Sequence, residues 1–196
     1  MSQKSTQSAK RSSFRDRRNR PPTAVIVVVA ILVSLVGLVV YAIYEATRPP
    51  RPIEGAEQFF NLERGHVEEA VTYEQTPPVG GVHNPAWQNC GVYTEPIPSE
   101  NAVHSLEHGA VWITYQPDLP AAELQKLQSL TRQSGYRLLS PYPGLPSPVV
   151  LSAWGYQLKL ERTDDSRLGQ FIEKYELNPN GPEPGAACTG GVGQPQ

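Results

Sequence analysis

The stretch "HSLEHGAVWITY", residues 104–115, contains a change of period on which the reading of the fold turns. Up to Gly109 the spacing is helical: Val103, Leu106 and Ala110 fall on one stripe, and Glu100, His104 and His108 fall on another. After Gly109, "AVWITY" has the β-branched and aromatic composition of a strand. A short helix from Glu100 to His108, capped by Ser99, is therefore expected to end at Gly109 in the left-handed conformation and to feed a strand over 110–115.

Toward the C-terminus, Asp118 and Pro120 open a helix that runs through Gln133 and stops at Gly135. "YRLLS" (136–140) and "PVVLSAW" (148–154) read as strands, and Gly155 turns the second into "YQLKLE" (156–161). Leu168, Phe171, Ile172 and Tyr175 follow i, i+3, i+4, i+7 after the capping pair Asp164 and Asp165, so the last element is an amphipathic helix. Toward the N-terminus, "TPPVGGVHNPAW" (76–87) is dense in turn residues, and "VEEAVTY" (67–73) reads as one more strand. The fold class is α+β: a mixed sheet with two main helices and a Pro-rich irregular half in front. The final hairpin and helix, which begin at Pro148, resemble the second half of a thioredoxin-like fold. No C-x-x-C is present, so thiol redox catalysis does not follow from that shape.

Residues 1–22 carry seven Lys or Arg against Asp16 and are expected to be disordered. Residues 23–44, "TAVIVVVAILVSLVGLVVYAIY", hold no charge and as a helix would rise about 33 Å, enough to cross a bilayer. The basic flank places the N-terminus in the cytoplasm and the rest of the chain outside the plasma membrane, as a single-pass protein. A cleaved signal peptide is the competing reading, but "YAIYEAT" offers no small-residue cleavage site. Residues 45–60 read as a Pro-rich linker, 61–177 as the extracytoplasmic domain and 178–196 as a Pro/Gly-rich tail unable to order itself. Beyond residue 48 there are nine Lys or Arg against seventeen Asp or Glu, a formal charge of minus eight, which excludes nucleic acid as a natural partner. Ser34 and Gly37 form one small-residue patch on the span, so membrane or envelope proteins are the expected partners.

Cys90 and Cys188 are the only cysteines, and on the oxidising side of a membrane they most simply pair, which would tie the tail to the domain. A free, metal-bound or intermolecular thiol is the alternative.

"TYEQTPPVGGVHNPAWQNCGVY" (72–93) followed by "HSLEHG" (104–109) resembles a largely actinobacterial family of single-pass membrane proteins described as a domain of unknown function. The pattern falls on Tyr73, Pro77, Pro78, Gly81, His83, Pro85, Trp87, Cys90, Gly91, His104, Leu106, Glu107, His108 and Gly109. Gly80 departs from it, since serine is common there. The resemblance implies an envelope location over roughly residues 60–188 and leaves the activity open.

Three chemistries compete for the histidines. His104 and His108, at i and i+4, can converge on one metal ion, with His83, Glu107 or Glu100 completing the set; nitrogen and oxygen donors suit zinc or copper(II). No methionine follows Met1, which disfavours a thioether copper(I) carrier. Alternatively, "HSLEH" matches the H-x-x-E-H signature of a zinc-dependent hydrolase, with His104 and His108 as ligands, Glu107 as catalytic base and Glu173 or Glu176 as third ligand. Peptidases with that signature are much larger, and the helix here has barely two turns. In the third reading the histidines are structural, each donating one ring proton to a backbone carbonyl and joining the Pro-rich loop to the sheet. His66 reads as an exposed loop histidine and a spare ligand, and Trp112 and Trp154 as core. The expected role is a non-catalytic binding or cell-envelope assembly module, with metal held by His83, His104, Glu107 and His108.

Overall fold

The computed structural model describes residues 22–48 and 52–196, which belong to two units dividing between Arg51 and Pro52. In the first unit, helix α1 (Thr23–Thr47) is 25 residues long with every side chain exposed. At about 1.5 Å per residue it exceeds the roughly 30 Å hydrocarbon thickness. It has the length and apolarity of a membrane span, and a signal sequence near an N-terminus meets the same description. Residues 1–21, which hold the basic flank, lie outside the described residues.

The second unit is built on a six-stranded sheet. Its elements in chain order are β1 (Ala56–Gln58), β2 (Gly91–Val92), α2 (Ser99–Glu107), β3 (Val111–Tyr115), α3 (Ala121–Thr131), β4 (Arg137–Pro141), β5 (Val149–Ala153), β6 (Tyr156–Leu160) and α4 (Ser166–Tyr175). The strand order is β1-β6-β5-β3-β4-β2, with β3 parallel to β4, β4 parallel to β2, and the remaining pairs antiparallel. The mixed α+β class expected from the sequence is the one observed, including the final hairpin and helix.

All five residues of β3 are buried, which requires cover on both faces of the sheet. Strand alternation sorts them. Val111, Ile113 and Tyr115 join Leu127 of α3 and Leu168, Phe171 and Ile172 of α4 in one core. Trp112 joins Leu138, Ala102, Leu106 and the two cysteines in a second core beneath α2. Trp112 is fully buried, and its indole N–H donates to Ser140 Oγ at 3.0 Å, which satisfies its one polar group. The second core carries α2, and α2 carries the histidines.

Four expectations need correction. Residues 67–73 form no strand: Glu68 and Glu69 are adjacent and exposed, and the Val71 N–H donates to the Glu100 carboxylate at 3.0 Å instead of to a ladder. Ser99 is the first helical residue of α2 and not its cap; Pro98 takes the cap position and there is no side-chain capping bond. Residues 52–60, expected in the linker, belong to the domain, because Ile53 is buried in the first core and β1 pairs with β6. The tail is ordered despite its composition, and the expected Cys90–Cys188 pairing is what ties it to the domain. The Cys90–Cys188 disulfide is formed, the Cys90 N–H donates to Cys188 O at 2.7 Å, and the Val192 N–H donates to Trp87 O at 2.9 Å. Composition argued that the tail has too little apolar surface to order itself, but a covalent bond and main-chain pairing need none.

Candidate metal centre

Three segments bring the four histidines of the chain together. The first two segments are joined by an isolated parallel bridge between His66 and His83, in which the His83 N–H donates to Gly65 O at 2.9 Å and the Val67 N–H to His83 O at 2.8 Å. The third segment is α2, which presents His104 and Glu107 one helical turn apart. Helix α2 stops where it does because Gly109, at φ +96°, takes the left-handed turn, and a side chain there would press on the Leu177 backbone.

The rings of His66, His83 and His104 form a triangle with every centroid separation 4.9 Å. Glu107 closes the group: its Oε2 lies 2.9 Å from His83 Nε2 and 4.0 Å from His66 Nε2. One donor atom from each of His66, His83, His104 and Glu107 lies within 4.8 Å of all the others, so the group can hold a metal ion. Tetrahedral nitrogen and oxygen ligands about 2.0–2.1 Å from zinc stand about 3.3 Å apart, so His83 and Glu107, at 2.9 Å, would open slightly while the wider separations close.

Ring orientation is set by the backbone. His83 Nδ1–H donates to Gly81 O at 2.7 Å, and His104 Nδ1–H donates to Asn84 O at 2.7 Å. In a neutral ring that assignment leaves the lone pair on Nε2, and tying the outer nitrogen to a carbonyl is how metal-binding histidines are oriented. His83 is completely buried, and its Nε2 has no hydrogen-bond partner although Glu107 Oε2 is 2.9 Å away. The two atoms are at contact distance without the alignment of a hydrogen bond, and a metal ion bound by both would satisfy them. His104 is held near neutral: burial, opposed by its bond to Asn84 and reinforced by the neighbouring histidines, pulls its pKa down to about 4. The neutral ring is the form that ligates.

The remaining candidates are placed elsewhere. His108 stands beside the group, its ring 4.5 Å from that of His104, with Nδ1–H donating to Ala187 O at 2.7 Å and Nε2 3.9 Å from Glu183. Glu100 is used by Val71, and Glu176 is paired with Arg137 at 2.8 Å. Cys90 is in the disulfide and offers no thiolate. The H-x-x-E-H segment therefore divides: His104 and Glu107 enter the group and His108 does not. The structural expectation holds for the donated ring protons but leaves His83 Nε2 without an aligned hydrogen bond among the described residues.

His66 is the ligand candidate that sequence reasoning undervalued. Its side chain is half exposed and it follows a glycine, which is the look of a loop histidine. The available signal was numerical: the chain has four histidines, and each of the other three already sat in a motif. Trp87 and Trp154 wall the rings, Trp87 at 5.8 Å from His104 and Trp154 at 5.8 Å from His83.

A family described as "protein of unknown function" (DUF3105) matches residues 66–190, a span that runs from His66 past Cys188. No curated protein and no solved structure matches the chain.

Proposed function

We propose that this chain, which belongs to the DUF3105 family of proteins of unknown function, binds a divalent transition-metal ion in a membrane-anchored domain outside the cytoplasm. His66, His83, His104 and Glu107 are the ligands. The observation that carries the reading is the buried His83 Nε2, aimed by the Nδ1–H bond to Gly81 into a group of donor atoms from His66, His104 and Glu107 that lie within 4.8 Å of one another. Three imidazoles and a carboxylate suit zinc or copper(II), and four protein donors fill a tetrahedral shell. A filled shell supports retention of the ion over hydrolysis at it. Glu107, in contact with His83, is better placed as a ligand than as a base for attacking water.

The location rests on α1 as an uncleaved anchor and on the disulfide, since such bonds persist in oxidising compartments. Envelope or membrane proteins are the partners this location makes available.

The test is the metal content of the full-length chain, purified in detergent from metal-replete cells, before and after chelation. Wild type should carry one ion that a chelator removes. His83→Ala combined with His104→Ala should carry none while its disulfide and near-ultraviolet dichroism persist. A wild-type chain without metal, indifferent to added zinc or copper, contradicts the proposal.

A further inference from the structure

His108 repeats, outside the group, the geometry of the inner ligands. Its residue is 4% exposed, and its Nδ1–H is donated to the Ala187 carbonyl at 2.7 Å, the same distance as in His83 and His104. A neutral ring held that way presents an Nε2 lone pair, and the nearest charged group is the Glu183 carboxylate at 3.9 Å. That separation is too long for a hydrogen bond and suits two ligands flanking a cation.

The backbone that carries Glu183 is held there by main-chain bonds. The Glu183 N–H donates to Glu107 O at 3.1 Å, and the Gly185 N–H donates to His108 O at 3.0 Å, so the tail occupies the carbonyls left open at the end of α2. Glu183 is 60% exposed at its side chain. It shares a hollow of about 220 Å³ with Arg64, Gly65, His66, Pro182 and Glu107. Glu107 and His66 thus border both the inner group and this hollow.

We propose that His108 and Glu183 form a second, outer position for a divalent transition-metal ion, open to solvent and adjoining the inner site. The inference rests on the inner-site reading. Water fills the remaining coordination places, so the outer ion binds more weakly than the inner one.

Equilibrium dialysis of the full-length oxidised chain in detergent against rising zinc, with bound zinc counted per chain, tests it. Wild type should take up two ions, the second at least tenfold more weakly. Glu183→Gln, an exposed isosteric change, should lose the second ion and keep the first, and His108→Ala should do the same. One ion in wild type, unchanged in Glu183→Gln, overturns the outer position and leaves the inner site standing. Loss of both ions in a folded His108→Ala also overturns it, since His108 would then belong to the inner set. No ion in wild type removes the inner-site reading and this one with it.

Discussion

His83 is the residue on which the chemistry turns, because its buried Nε2 makes no aligned hydrogen bond among the described residues while Glu107 Oε2 stands 2.9 Å away. Replacing Glu107 by Gln keeps the volume and removes the charge, so zinc affinity should fall by more than the about 10–100-fold that loss of an outer-shell partner costs. Isothermal titration of the full chain would read this, and unchanged affinity would remove Glu107 from the ligand set. His104 supplies a pH dependence. Its folded pKa is lowered from 6.5 to about 4 by burial, so between those values the unfolded chain takes up a proton that the folded one refuses. Stability of the chelated protein is therefore full above about pH 6.5 and falls on acidification through that window, by about 3 kcal/mol in all. Urea unfolding of the EDTA-treated chain should show this slope, and His104→Gln should flatten it. At this scale the sequence was legible for His83, His104 and Glu107, which sit in motifs. His66 was not, because its place beside His83 is made by a two-residue bridge with no periodicity to announce it.

Periodic elements were read well and irregular ones poorly. Helix α4 follows from the spacing of Leu168, Phe171, Ile172 and Tyr175, and Asp165 caps it by accepting the Arg167 N–H at 2.9 Å. Asp165→Ala should cost about 1 kcal/mol, measured by thermal or urea unfolding. Strands β1 and β2, three and two residues long, carry too little pattern to be found, and both owe their pairing to neighbours already in the sheet. The misread strand at 67–73 had apolar residues at its ends, but two adjacent glutamates broke the alternation that one buried face requires. Arg137 shows what local patterns omit. From β4 it donates to Glu176 at the end of α4 and, at 2.6 Å, to Leu130 O at the end of α3. Its side chain is 13% exposed, so Arg137→Ala should destabilise by about 2–3 kcal/mol, and a change within about 0.5 kcal/mol would show the pair to be idle.

Across the second unit, one covalent bond joins the site to the end of the chain. The disulfide spans 98 residues, a loop whose closure stabilises by about 4–5 kcal/mol in the chain-entropy model. Cys90→Ser with Cys188→Ser should lose about that much. It should also weaken zinc retention, because the segment before Cys188 supplies the amide that bonds Glu107 O at the end of α2. Equal stability of the oxidised and reduced chain would contradict this. The central claim concerns the metal itself, and X-ray absorption at the zinc edge of the loaded full-length chain reads its neighbours directly. With one equivalent of zinc, three imidazole nitrogens and one carboxylate oxygen at about 2.0–2.1 Å are expected, the imidazoles giving their outer-shell scattering. A spectrum of oxygen neighbours alone, without imidazole scattering, would mean that the histidines hold the fold together and not an ion.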